Sequence, residues 1–421
     1  MATKKVAVAC QGGGTHAAFT WGVLTEILRT KQQWDANPAT AEGDTFDLLG
    51  ISGTSAGALC ALATWYGMAP NTADSDCGSI DKAIERLDFL WTTFAAITPI
   101  ETLHNRSTQA LLHLEEKGLP FPASNPYDVG GSIALASLSI LGARPPYLSF
   151  PALLDALCPH FQSIDWPKIP DIRFRILVGA IEVLSGNLEV FDSEKSLVEK
   201  GLPSICKHID QYSATRWSMC RALSLQGVAA SGTLPEILRA QKIENTIFPT
   251  SQPGVTVRRD AYYWDGLYSQ NPPVRDFFRV ADRENKPDEI WVIRINPQEY
   301  EADIDNMALA DIRDRENDLA GNLSLHQELD HIVSLNEWIS AYGTDRPPLS
   351  NCKPVTVRTI KMNSPTTRNL RHTTKFDRSV AHLSALNEEG QAVARQWLAD
   401  WRTLGSAFPC YPNDARYPET D

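Results

Sequence analysis

Two glycine-bearing turns, each placed directly after an apolar run, constrain this chain more than any other feature. Gly12-Gly13-Gly14 follows Val6-Ala7-Val8-Ala9-Cys10, and Gly53-Thr54-Ser55-Ala56-Gly57 follows Leu48-Leu49-Gly50-Ile51-Ser52. Short apolar runs bounded by glycine read as buried strands. Both turns then open into helical patterns. The first leads into a helix from about Ala17 to Thr30 with Phe19, Val23, Leu24, Ile27 and Leu28 on one face; the second leads into Ala58 to Tyr66, stopped by Gly67 and Pro70. Two such strand-turn-helix units in succession belong to an α/β fold.

The second turn carries chemistry as well as geometry. Gly-x-Ser-x-Gly is the nucleophile-elbow pattern, whose sharp strand-to-helix turn needs small residues on both sides of the serine. Ser55 would stand at a helix N-terminus, where free N–H groups and the dipole favour developing negative charge. Gly12, Gly14 and Ala17 also satisfy the looser Gly-x-Gly-x-x-Gly/Ala dinucleotide fingerprint, which calls for an acidic residue at a strand end roughly 20 residues on. Asp35 instead lies in the polar stretch Lys31 to Pro38, and the next strand delivers Ser55. The pair of turns therefore reads as an oxyanion loop facing a nucleophilic serine. A base is sought downstream in Ala261-Tyr262-Tyr263-Trp264-Asp265-Gly266-Leu267, an aromatic strand ending in a turn with Asp265 at its C-terminal edge. Taken alone, Asp265 reads first as an ordinary turn aspartate.

In this chain order, the glycine loop, the elbow with Gly53 and Gly57, and the late Asp265-Gly266 resemble the patatin-like phospholipases, lipid acyl hydrolases that use a Ser-Asp dyad without histidine. The run Gln11-Gly12-Gly13-Gly14-Thr15-His16-Ala17-Ala18-Phe19-Thr20-Trp21-Gly22-Val23-Leu24 is similar to the N-terminus of a bacterial group of that family. Similarity continues through Val228 to Pro235, Ile290 to Pro297 and Asn322 to Leu329. The resemblance implies a three-layer α/β fold with a mostly parallel central sheet flanked by helices. It implies Ser55 as nucleophile, Asp265 as base, and the N–H groups of Gly13, Gly14 and Ala56 as the oxyanion hole, with Gly12, Gly53, Gly57 and Gly266 shaping the turns. Two departures touch this site. Ala17 replaces a usual glycine, which would restrict the loop if φ there were positive, and Leu267 stands where glycine or alanine is common.

The implied activity is hydrolysis of carboxylic esters of lipids, of the phospholipase A or lysophospholipase type, through an acyl-serine and with no metal or cofactor. A solvated aspartate, with a pKa near 4, is a weak base, so the site must desolvate Asp265. The chief mechanistic rival is a Ser-Asp-His triad, since His326, His331, His372 and His382 follow Asp265. From another class, a non-catalytic lipid-binding or regulatory module would retain the same fold. His16 is read either as a phosphate or oxyanion-loop contact or as a local structural hydrogen bond.

Composition frames the site. The chain has 421 residues and is 43% hydrophobic, without a linker or composition break, so it reads as one catalytic domain over residues 1–345 with a strand-helix extension, residues 346–421, packed on it. Residues from about 72 to 150 read as an insertion, within which Ile133 to Leu141 is a lid, an acyl-chain wall or a buried helix. That run is too short to span a bilayer, which needs about 20 residues. The eight cysteines lack any Cys-x-x-Cys pairing and read as free thiols of a reducing compartment. Lys4 and Lys5 precede only a short strand, unlike a signal peptide. The expectation is a cytoplasmic protein, with peripheral membrane contact on a lipid substrate. A net charge of -12 speaks against nucleic acid as partner. Lys353, Arg358, Lys361, Arg368, Arg371, Lys375 and Arg378 form a local basic segment, read as a phosphate-headgroup patch or a solvated strand face. The remaining elements read as strands over Arg173–Ala180, Ile290–Ile295 and Val355–Ile360, and helices over Ser218–Ala230, Asp305–Tyr342 and Arg378–Trp401. Leu319, Leu323, Leu329, Ile332, Val333 and Ile339 are expected on the packed side of the long helix. Oligomeric state has no signature here.

Overall fold

The computed structural model describes residues 3–37, 45–117, 119, 136–206, 218–235, 237–250, 255–278, 280, 282–297, 305, 307, 309–345, 347, 349–367 and 370–413. Its strands are β1 (Thr3–Cys10), β2 (Thr45–Gly53), β3 (Arg175–Glu182), β4 (Leu188–Asp192), β5 (Ser218–Ala222), β6 (Gln241–Pro249), β7 (Thr256–Asp265), β8 (Glu289–Arg294) and β9 (Thr356–Lys361). They form one sheet in the order β5-β4-β3-β2-β1-β8-β9, with β7 pairing to β3 and β6 to β7. Strands β3, β2, β1, β8 and β9 are mutually parallel. The principal helices are α1 (Ala18–Ala36), α2 (Ala56–Met68), α3 (Ile80–Phe94), α4 (Pro99–Glu116), α5 (Phe150–Leu157), α6 (Leu225–Ser231), α7 (Leu309–Tyr342) and α8 (Val380–Leu404).

Alternation along the central strands divides the core into two layers. Val6, Val8, Cys10, Trp291 and Ile293 face one side and pack with α1, α2, α3, α5, α6 and α8. Ala7, Ala9, Ile290 and Val292 face the other and pack with Leu325, Leu329 and Ile332 of α7. A sheet covered on both faces explains why these strands read as continuous apolar runs. The architecture is the three-layer α/β arrangement expected, with a mostly parallel sheet between helices.

Several expectations are corrected by packing. Ser218–Ala230 is not one helix: β5 pairs with β4 up to Ala222, and the Ser224 side chain caps α6 by accepting from the Gly227 N–H. A capping serine inside an apolar stretch separated the two elements. Leu319 and Leu323 are 52% and 60% exposed, because they lie on a different face of α7 from Asp318, Asn322 and Leu325, which are buried. Within 72–150, α3 inserts Leu87, Leu90 and Trp91 into the main core, so it is a structural layer. Ile133 to Leu135 lie outside the described residues; Ile140 and Leu141 are 85% and 64% exposed, which rules out a buried helix there.

The C-terminal segment is integral to this architecture. Strand β9 extends the parallel sheet beside β8, and α8 lies so close along α1 that a side chain on Gly22 would meet the Asn387 carbonyl at 2.0 Å. Its basic residues are paired, not displayed. Lys353 bonds Asp288 at 2.6 Å, Arg358 bonds buried Glu289 at 3.0 Å and Arg371 bonds Asp311 at 2.6 Å. The Arg378 guanidinium lies over the rings of Phe94 and Tyr147 and donates to both their carbonyls. Neither a headgroup patch nor a solvated strand face describes them; Arg368 lies outside the described residues.

Candidate active site

The site arises where β2 leaves the sheet. Gly53, the last residue of β2, pairs with Val178 of β3. Two residues further along β3, the same edge is taken up by β7, with Ala180 opposite Asp265. Strand β7 is antiparallel to β3, not one of the parallel set, and it arrives end-on where β2 turns away. The carboxylate of Asp265 is thereby delivered beside the elbow that carries Ser55.

Ser55 has φ 55° and ψ -129°, a conformation a non-glycine residue adopts at a cost of roughly 1–3 kcal/mol. The surroundings hold it there. Its N–H donates to the carbonyl and the hydroxyl of Ser231, at 3.1 and 3.0 Å. Its carbonyl accepts from Ala58 and Leu59 in the first turn of α2. The side chain is partly exposed, whereas almost everything around it is buried. Two residues after Ser231, the Thr233 carbonyl accepts the Asp265 N–H at 2.8 Å. The end of α6 thus ties down both Ser55 and Asp265.

Asp265 is fully buried. One carboxylate oxygen accepts from the Leu267 N–H at 2.8 Å; the other, Oδ2, is buried without a hydrogen-bond partner among the described residues. Burial pushes its pKa up to about 7, against a smaller opposing pull from the Leu267 N–H and the neighbouring Ser55 hydroxyl. Desolvation, the condition set by the chemistry of an aspartate base, is met by the position of β7. Tyr263 points elsewhere, to Glu189 at 2.5 Å, and the half-buried Trp264 and Leu267 flank the carboxylate in sequence. Leu267 contributes its backbone donor, which any residue but proline would supply.

The glycine loop lies directly on the elbow. A Cβ on Gly12 would fall 2.6 Å from the Thr54 carbonyl and 2.8 Å from the Ser55 Cβ, so no side chain fits between the loop and Ser55. Gly12→Ala is expected to lower kcat for ester hydrolysis by about 100-fold or more, the scale of losing one oxyanion donor, with a smaller change in KM. Unchanged kcat would show that the loop does not bear on the reaction. Gly14 has φ 59°, the left-handed region that favours glycine. Among the described residues, no backbone acceptor is taken by the N–H groups of Gly13, Gly14 or Ala56. Ala17 has φ -67° and ψ -1°, so the methyl group restricts nothing. Gly57 packs on the Cys10 carbonyl and Gly266 on that of Gly179, each too close for a side chain.

Among the described residues, no histidine bears on the Asp265 carboxylate. His16 is buried, its Nε2 2.7 Å from the Thr374 hydroxyl, and burial drives its pKa well down; its bond is structural and ties the glycine loop to a turn far along the chain. His326 is 2.6 Å from Arg294, and no histidine is among the groups that influence Asp265. Among the described residues, no cluster of His, Cys, Asp and Glu is arranged to hold a metal ion.

Residues 8–163, which include the glycine loop and the elbow, match the family described as patatin-like phospholipase. That stretch is thus similar to the patatin-like phospholipases. That family is one of lipid acyl hydrolases, so ester hydrolysis is the chemistry to seek at Ser55. Asp265 and Ser231 lie beyond the patatin-like match. No curated protein matches the chain. Among solved structures, VipD from Legionella pneumophila is similar at 13% identity and a TM-score of 0.30, covering 91% of this chain and 67% of VipD. The heterodimeric ExoU–SpcU complex from the type III secretion system of Pseudomonas aeruginosa is similar at 14% identity and a TM-score of 0.26, covering 93% of this chain and 52% of the other. No described helix is long and apolar enough to cross a membrane.

Four residues around this patatin-like site escaped sequence reasoning: Ser231, Asn271, Asn296 and Lys375. Asn271 accepts the Gly12 N–H at 2.7 Å, and Asn296 donates to the Gly12 carbonyl at 3.0 Å. Ser231 and Asn296 lie in segments marked only by similarity, Lys375 is marked only as one charge of the basic segment, and nothing local marks Asn271.

Proposed function

We propose that this chain is a lipid acyl hydrolase that cleaves carboxylic esters of phospholipids or related lipids through a Ser55–Asp265 dyad. One observation carries the reading: a fully buried aspartate, whose pKa burial raises to about 7, stands beside the hydroxyl of a serine in an elbow conformation. Asp265 takes the Ser55 proton as Oγ attacks the ester carbonyl. The N–H groups of Gly13, Gly14 and Ala56 hold the oxyanion, each well-aimed donor lowering the barrier by about 3 to 4 kcal/mol. Collapse of the tetrahedral species expels the alcohol, which leaves with the proton from Asp265. Water, deprotonated by Asp265 in its turn, then releases the fatty acid from Ser55.

A fluorophosphonate probe tests this directly. The wild-type protein is expected to be labelled stoichiometrically and Ser55→Ala not at all, with fatty acid released from phospholipid vesicles only by the former. Absence of labelling across pH 6 to 9 would favour a lipid-binding module without turnover. Labelling that survives Asp265→Asn but disappears on replacing a downstream histidine would establish a triad instead.

A further inference from the structure

Lys375 is a buried cation beneath the glycine loop, and the mechanism above makes no use of it. It belongs to the turn Thr373–Phe376, which cradles the loop from outside the active site. The Thr374 carbonyl accepts from the Thr15 hydroxyl at 2.8 Å, and a side chain on Gly14 would meet the Lys375 carbonyl at 2.3 Å. From there Lys375 sends its ammonium inward, to the Asn296 Oδ1 at 2.9 Å and the Asp318 carboxylate at 3.4 Å. Burial lowers the lysine pKa, and the Asp318 carboxylate pulls back towards the charged form.

This contact orients an amide. An ammonium group donates and cannot accept, so the oxygen of Asn296 must face Lys375 and its nitrogen must face the opposite way. On that opposite side lies the Gly12 carbonyl, to which Asn296 Nδ2 donates at 3.0 Å. In a planar trans peptide the carbonyl of one residue and the N–H of the next point in opposite directions. Fixing the Gly12 carbonyl towards Asn296 therefore fixes the Gly13 N–H away from it. The other side of the same residue is held by Asn271, which accepts the Gly12 N–H at 2.7 Å.

We propose that Lys375 and Asn296 are positioning residues for the oxyanion loop: the lysine sets the asparagine amide, and the amide sets the Gly12–Gly13 peptide plane. The role rests on Ser55 being the nucleophile only for its catalytic consequence; the clamp on the loop stands apart from it. Asn296→Asp is the sharper variant, because it keeps an acceptor for Lys375 yet removes the donor to Gly12. Lys375→Met, which strands Asp318, is the second.

Two readouts separate the possibilities. Hydrogen exchange across residues 10–19 is expected to quicken at least tenfold in Asn296→Asp, with residues 45–53 unchanged. In the same variant kcat for ester hydrolysis and the rate of fluorophosphonate labelling are expected to fall about 10- to 100-fold, KM to stay within about threefold, and the pH midpoint near 7 to persist because Asp265 is untouched. Unchanged exchange in both variants would overturn the clamp, as would a rise in KM at constant kcat. Quickened exchange in a protein that never reacts with the probe would uphold the clamp and overturn the catalytic reading.

Discussion

Asp265→Asn is expected to lower kcat for lipid ester hydrolysis by about 100- to 10,000-fold, the range attached to a general base. In the wild-type protein kcat/KM is expected to climb with pH and level off above about 7, following one ionisation. Burial sets that midpoint, since it raises Asp265 from the usual aspartate value to about 7. The direction follows from the role: below the midpoint the carboxyl carries a proton and has no room for another. In Asp265→Asn the residual rate should lose this limb. A limb persisting unaltered would assign the ionisation to another group and remove Asp265 from the mechanism.

The same burial makes Asp265 a burden on the fold, and the second prediction concerns stability. A group whose folded pKa lies above its unfolded value favours the native state at low pH and loses that contribution as pH rises towards the folded pKa. For a rise from 3.8 to about 7 the loss amounts to roughly 4 kcal/mol at most, complete above about pH 7. Asp265→Asn, which keeps an oxygen for the Leu267 N–H, is therefore expected to stabilise the protein by up to roughly 4 kcal/mol at pH 8 and by little at pH 4. Denaturant unfolding at the two pH values measures this. Equal stability of variant and wild type at pH 8 would mean that the carboxylate is better solvated than its burial indicates. A residue that costs stability while serving chemistry is a familiar trade at catalytic sites.

How far the site could be read along the chain varied with the range of the interaction. Gly12, Gly53 and Gly57 are legible because small residues at a strand-to-helix turn form a local pattern, although of the three only Gly53 is crowded by a near neighbour in the chain, Gly12 meeting Thr54 and Ser55 and Gly57 meeting Cys10. Asp265 was found as an aspartate at a strand end, but the reason offered was incomplete. Its strand is antiparallel to β3 and meets the end of β2 only because β3 extends past Gly53. Ala17 looked like a defect and is not one, since the backbone there is helical. The basic segment looked like a surface, yet each charge whose partner is described above meets an acid or a ring from a distant stretch of chain. Charge patterns in one dimension carry no information about such partners.

By itself, the order of apolar runs, glycines and small residues determined an α/β fold with a serine elbow and a facing glycine loop. Each strand-turn-helix unit depends on backbone sterics and on residues within a few positions of one another, whereas the packing of loop on elbow joins Gly12 to Thr54 and Ser55. Only the tertiary structure decided what Asp265 is. The pKa of a carboxyl group depends on the water removed from around it, and that removal is the joint work of β3, α6 and the elbow, segments far apart in the chain. The orientation of the Gly12–Gly13 peptide is set in the same way, by an asparagine that precedes the long helix α7 in the chain and a lysine that follows it.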